Sequence, residues 1–117
     1  MAKNNVALSI ETEAKGDAVV VCLSGSAGME SCHLLNERLM EASEGSPKLM
    51  VLDMAALEFI CSLGLGSIVA AYLRMTRAKG CLRLVGPPPH VRELLHVTKL
   101  DTLLEVDDSV DKALASS

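Results

Sequence analysis

Leu49-Met50-Val51-Leu52 is an unbroken apolar run, too short for a helix and ended by Asp53. A strand with no polar face must be covered on both sides, as central strands of α/β sheets are. A second apolar block, Leu63 to Leu73, follows closely at helical length, then gives way to Arg74, Arg77, Lys79 and a stop at Gly80. A helix that is greasy nearly all round is expected to be buried. Its basic last turn complements the negative end of the helix dipole.

The rest of the chain supplies the layers these two segments need. Val6 to Glu11 alternates apolar and polar, with Val6, Leu8 and Ile10 on one face, and Ala18 to Leu23 is nearly continuous apolar sequence. The turn-rich Lys15-Gly16-Asp17 between them predicts an antiparallel hairpin. From Met29, Cys32, Leu35, Leu39 and Ala42 recur at helical spacing until Gly45-Ser46-Pro47 ends the helix. Cys81 to Val85 reads as a strand, and Gly86-Pro87-Pro88-Pro89 as a rigid loop. Val91, Leu94 and Leu95 form the stripe of a short helix, and Leu103 to Val106 reads as a last strand. Asp107-Asp108-Ser109 then caps a final helix carrying Val110, Ala113 and Leu114. The order β, β, α, β, α, β, α, β, α predicts one α/β domain. Its sheet of about five strands is mixed and mostly parallel, with an antiparallel first strand and four helices. With 117 residues the chain is one domain's length.

Composition narrows the function. Aromatic residues make up 2%, with one Phe, one Tyr and no Trp, so stacking platforms for bases or sugars are excluded. The 11 basic and 15 acidic residues give a net charge of −4, which repels nucleic acid and anionic membranes alike. The first residues lack a signal peptide's apolar region, and no stretch approaches a membrane span, so the expected location is the cytoplasm. Cys22, Cys32, Cys61 and Cys81 show no zinc-site spacing and read as buried thiols, with no metal or cofactor implied.

Nucleotide and catalytic motifs begin in the same residues but are not completed. Gly64-Leu65-Gly66 begins a dinucleotide fingerprint, but its third glycine is replaced by Val69, and the chain has no GKS or GKT triplet. Ser62 sits where a nucleophile elbow would, between strand and helix, yet Ile60 stands where that motif needs glycine. His33, His90 and His96, read as lying on a helix, a loop and a short helix, are not placed beside Ser62 by their spacing. Asp53 and Glu58 bracket the expected loop leading to Ser62, and Asp53 ends the expected central strand, where α/β sheets bind ligands. Its plainer role is to satisfy loop amides. Asp101, Asp107, Asp108 and Asp111 read as caps and a solvated face.

The oddity that remains is local. Ser62 falls at the N-terminus of the most apolar helix, as an N-cap or as an acceptor of phosphate. Gly64 and Gly66 fall in the first turn, each at a cost of about 1 kcal/mol relative to alanine. Close approach by another backbone, internal or from a partner protein, would explain them.

Leu49-Met50-Val51-Leu52-Asp53 followed by Leu57-Glu58-Phe59-Ile60-Cys61-Ser62-Leu63-Gly64-Leu65-Gly66 resembles the signature of the STAS domain, the bacterial anti-sigma-factor antagonist family. Val21-Cys22-Leu23-Ser24-Gly25, Leu82-Arg83-Leu84-Val85-Gly86 and Val91-Arg92-Glu93-Leu94-Leu95 agree with it. The resemblance implies a single STAS-like domain over 1–117, with a core of about 6–115.

It also implies a switch rather than an enzyme. In this family the unphosphorylated antagonist binds an anti-sigma factor that is a serine kinase, and phosphorylation of the motif serine, here Ser62, breaks the complex. The partner-binding residues so implied are Asp53, Cys61, Ser62, Leu63, Gly64, Leu65 and Gly66. Typical phosphorylated members carry an acid before the serine and a hydroxyl residue after it, where this chain has Cys61 and Leu63. The acid often found before the first helix is replaced by Ser26-Ala27-Gly28. The alternative expectation is a binding scaffold, or a module for a small anion, without a phosphorylation cycle. A small hydrolase using Ser62 is the third.

Overall fold

Gly16, at φ 63°, and Asp17 form a two-residue turn joining β1 (Ser9–Lys15) to antiparallel β2 (Ala18–Ala27) in the computed structural model, which describes residues 8–115. Val6 and the rest of residues 1–7 lie outside the described residues. Within them, β1 runs on to Lys15 instead of stopping at Glu11. Its side chains are mostly exposed, so this edge strand is held by backbone pairing rather than apolar alternation.

A 3-10 turn at Met29–Ser31 leads into α1 (Cys32–Ser43), which buries Leu35 and Leu39. The chain then enters β3 (Leu49–Ile60), in the middle of a five-stranded sheet ordered β1-β2-β3-β4-β5. All strand pairs after the hairpin are parallel. The apolar run is covered on both faces as expected. Met50 and Leu52 enter the main core beneath the helices, whereas Leu49 and Val51 join Val20, Val85 and Ala113 in a second cluster.

The expected loop from Asp53 to Cys61 is instead strand through Ile60. β4 (Cys81–Val85) ends opposite Asp53, but β2 continues as partner, pairing Ser24 to Ala27 with Ala56 to Ile60. Register shifts between Cys22 and Ser24 and between Gly25 and Ser26 break the two-residue period. That is why Ala55-Ala56-Leu57-Glu58-Phe59-Ile60 does not read as a strand.

α2 (Ser62–Arg77) buries one face only, through Gly64, Leu65, Ile68, Ala71 and Met75. The expectation of a helix buried nearly all round is wrong: Leu63 is 57% and Leu73 46% exposed. The sheet offers α2 one surface, α1 packs at its side, and no further layer lies above it among the described residues. The left-handed residue after α2 is Lys79, at φ 65°, rather than Gly80. Gly80 is needed for space, since a Cβ there would stand 2.9 Å from the Pro47 carbonyl oxygen.

Pro89 opens α3 (Pro89–Val97) instead of ending the loop, as suits a residue with no N–H to leave unpaired, and this places His90 on a helix. Val91 and Leu95 are buried, while Leu94 faces outward. A 3-10 turn at Leu100–Thr102 precedes β5 (Glu105–Asp107), so Leu103 falls in a turn rather than the last strand. Asp107 is not merely a solvated acid: the Arg83 guanidinium donates to it at 3.0 Å and pairs with Glu105 at 2.8 Å, tying β5 to β4. In α4 (Val110–Ala115), Ser109 Oγ accepts from Lys112 N at 3.2 Å, and Ala113 packs on the sheet face opposite α1 and α2.

The single buried face of α2 gives a direct test. Ile68→Ala is expected to cost about 2–5 kcal/mol, and Leu73→Ala no more than about 0.5 kcal/mol, by urea denaturation. Equal losses would mean that the outer face is also packed.

Candidate functional site

The extension of β3 beyond β4 delivers Cys61 and Ser62 to the end of the sheet. Cys61 N donates to Ala27 O at 2.9 Å, continuing the β2 pairing, and Cys61 O accepts from Leu65 N at 3.0 Å to start α2. Cys61 is therefore the N-cap, with extended backbone and no side-chain capping bond. Ser62 is the first helical residue and not the cap, so its hydroxyl is not spent on α2's free amides. It is exposed.

The residues expected to form one surface divide by burial. Ser62, Leu63 and Gly66 are exposed, Cys61 is half-buried, and Gly64 and Leu65 face inward. The two glycines have different causes. A Cβ on Gly64 would lie 2.7 Å from Ile60 Cγ1 and 3.5 Å from Leu35 Cδ2, so its absence lets α2 seat on β3 and α1. A Cβ on Gly66 would meet nothing within 4 Å.

Asp53 is not brought to this cluster. The remaining length of β3 separates it from Ser62, and strand alternation puts it on the face shared with Val51, away from α2. Its Oδ1 accepts from Ala55 N at 3.1 Å, the plainer role of satisfying a local amide. On the same face, burial and then the carboxylates of Asp53, Glu11 and Glu13 push the Cys22 thiol pKa up.

Three residues at this end of the sheet, Phe59, His90 and Met29, are not assigned to it by sequence reasoning. Phe59 stacks on His90, with ring centroids 5.6 Å apart and planes at 12°. His90 Nε2 accepts from Ile60 N at 3.3 Å, which fixes the ring against the end of β3. Phe59 nevertheless remains 47% exposed, and Met29, two residues past Ala27, is 72% exposed. The signal available for Phe59 was its rarity: the chain's one phenylalanine stands next to the motif rather than in a core pattern. No sequence signal links His90 to Ile60, because thirty residues and a helix-start proline intervene.

The expectation of buried thiols is also corrected. Cys22 and Cys81 are exposed, and Cys32 and Cys61 are half-buried. Cys22 lies beyond the patch that α4 covers, and Cys81 is the first residue of its strand. Burial, then the hydrogen bond with Cys61, push the Cys32 thiol pKa up, so at neutral pH it stays protonated.

A cleft of about 500 Å³ lined by Lys15, Asp17, Lys48 and Cys81 lies at the other end of the sheet, where β2, β3 and β4 begin. It is remote from Ser62, and ligands of open α/β sheets bind beyond the strands' carboxyl ends. No described helix is long and apolar enough to cross a membrane.

A five-stranded mixed sheet of this order, with the serine motif at the step from β3 into α2, defines a STAS domain. The model of that family matches residues 9–113, and the chain belongs to it. The chain is 26% identical over 98 residues to BtrV of Bordetella bronchiseptica, named as an anti-sigma factor antagonist, covering 84% of each protein. It is also similar to the crystal structure of an anti-sigma factor antagonist from Mycobacterium paratuberculosis, at 27% identity and a TM-score of 0.85, over 94% of this chain and 93% of that one. The Bacillus anti-sigma factor antagonist SpoIIAA, in its unphosphorylated form, shares the fold at 17% identity and a TM-score of 0.72, over 94% of this chain and 96% of its own.

The two glycines should part company on substitution. For Gly64→Ala, overpacking of about 1–3 kcal/mol outweighs a helix gain of about 1 kcal/mol, so the thermal midpoint falls. Gly66→Ala keeps the gain without the clash, and its midpoint rises.

Proposed function

We propose that this domain is an anti-sigma factor antagonist acting as a protein-binding switch in the cytoplasm. Its α2 start docks on an anti-sigma factor that is also a serine kinase, and phosphorylation of Ser62 releases it. The observation that carries this reading is the exposed Ser62 on the first turn of α2, with exposed Leu63 next to it in the chain and Phe59 and Met29 exposed on the segments that end and begin at this end of the sheet. An unmodified hydroxyl adds little polarity to that patch, so a partner can cover it by apolar burial.

A phosphate brings about −1.5 to −2 charges and three acceptor oxygens. The free amides of α2's first turn and the positive end of its dipole stabilise such a group in the free domain. A docked partner that buries the patch would have to desolvate that charge, which costs several kcal/mol per ion even after relaxation, roughly. Phosphorylation is thus tolerated by the fold and opposed by the complex. The surface implied for contact is Ser62, Leu63 and Gly66 with Phe59 and Met29. Gly64 and Leu65 act from beneath by seating the helix.

A scaffold that binds without a phosphorylation cycle is the second reading, favoured by one observation. Cys61 and Ser26-Ala27-Gly28 stand where phosphorylated members of this family carry acids, and Leu63 where they carry a hydroxyl residue, so the polar surroundings in which a kinase would activate the hydroxyl are depleted.

Incubation with the kinase and ATP, read by intact mass and complex formation, tests the switch. The wild type is expected to gain one phosphate and Ser62→Ala none, while Ser62→Asp binds at least tenfold more weakly. A phosphate on Ser62→Ala would overturn the site assignment. Binding without modification of the wild type would establish the scaffold, and ester hydrolysis lost in Ser62→Ala would replace both with an enzyme.

A further inference from the structure

Cys32 and Cys61 are 29 positions apart in the chain, yet their sulfur atoms stand 3.7 Å apart. Cys32 opens α1 and Cys61 caps α2, so the pair sits where the β2–α1 and β3–α2 connections meet. The backbone fixes this meeting point, through Cys61 N donating to Ala27 O and Cys32 Sγ donating to Gly28 O at 3.5 Å. Both thiols are half-buried, which leaves them a route to a small oxidant. Cys22 and Cys81 are more exposed, but neither has a cysteine partner among the described residues.

We propose that Cys32 and Cys61 form a reversible dithiol–disulfide pair that clamps the first turns of α1 and α2 together beside Ser62. Closing the bond brings the sulfurs from 3.7 Å to about 2.05 Å. Both residues lie at helix starts, where a side-chain rotation and a small shift of one connection supply the movement without disturbing the sheet.

The oxidant is a hydroperoxide. One thiol sulfur takes an oxygen from hydrogen peroxide, giving a sulfenic acid and releasing one water. The second sulfur attacks it, the S–O bond breaks, and the hydroxyl leaves with the second thiol's proton as another water. Two thiols and one peroxide thus give one disulfide and two waters, with two electrons passing from sulfur to oxygen. A small-molecule dithiol reverses the reaction by exchange, through a mixed disulfide.

The crosslink encloses α1 and β3 and so restricts the unfolded chain over a long loop. It also fixes the connection carrying Met29 relative to the one carrying Ser62. The proposal stands on thiol geometry and does not depend on any phosphorylation of the domain.

The test treats the full chain with hydrogen peroxide, alkylates the remaining thiols, and maps peptides without reduction. Two of the four thiols are expected to become unreactive and to appear as one linked Cys32–Cys61 peptide in a monomer. The thermal midpoint should rise, and dithiothreitol should reverse both changes. A Cys22→Ser/Cys81→Ser double variant should form the same link, while Cys32→Ser and Cys61→Ser should not. The double variant leaves the pair intact, so the proposal is decided even if a single variant folds poorly. Oxidation of Cys22 and Cys81 with Cys32 and Cys61 still alkylated would overturn it, as would a disulfide between chains.

Discussion

Parallel pairing of β2 with β3 beyond the end of β4 is the constraint on which the site depends. Up to Asp53, β3 has neighbours on both edges and cover on both faces. Past it, only β2 continues, and two register shifts let the pair bend as it leaves the sheet. The last bond of this ladder, Cys61 N to Ala27 O, sets the entry of α2 and the departure toward α1 at one point. Ser62, Phe59, Met29 and the two half-buried thiols are gathered there because backbone pairing reaches that far, not because their side chains bind one another strongly. Gly86, at φ 60° with its Cα side against Ala55, lets β4 turn away early enough for β3 to go on alone.

Most of the fold was legible because most of it obeys one period at a time. The central run Leu49 to Leu52, the hairpin turn at Gly16, the α1 stripe and its stop at Gly45, β4, and the Ser109 cap each follow from a local rule, and all are present. What failed was read where two causes overlap. The far half of β3 has strand pairing but bulged alternation, so its exposed and buried residues follow neither two nor 3.6. The helix after it is apolar on both faces, but only one has a layer to pack against, so Leu63 and Leu73 stay in solvent. Sequence records what a face is made of; the number of layers decides what covers it.

The site was legible in its centre and not in its rim. Ser62 and the glycines are adjacent in sequence, and their position between strand and helix follows from the element order. A loop after Asp53 would fold it back toward Ser62; the strand that is present carries it away instead. His90 and Cys32 approach from other elements, and nothing local encodes a contact made across thirty residues of chain. The glycine pair shows the same division within three residues: Gly64 answers an internal collision with Ile60, whereas Gly66 answers nothing in the folded domain.

The helix start itself forgoes stability. Serine is a good N-cap and cysteine a poor one, and a lost cap costs about 0.5–2 kcal/mol. Shifting the serine one position earlier would recover much of that. It would also commit the hydroxyl to the amides of α2 and remove it from any partner. With Cys61 at the cap, those amides keep their hydrogen-bonding capacity for water or an added oxygen, and Ser62 is held on the first turn, beside them but not bonded to them. The same displacement puts a thiol at the cap facing Cys32, so the hydroxyl and the thiol of this connection are adjacent in sequence but differ in surroundings. An arrangement that forgoes a cap, places a glycine where nothing crowds it and leaves Leu63 in water gives up local stabilisation at three neighbouring positions. Each of those losses falls at the same end of the sheet, at the step from β3 into α2.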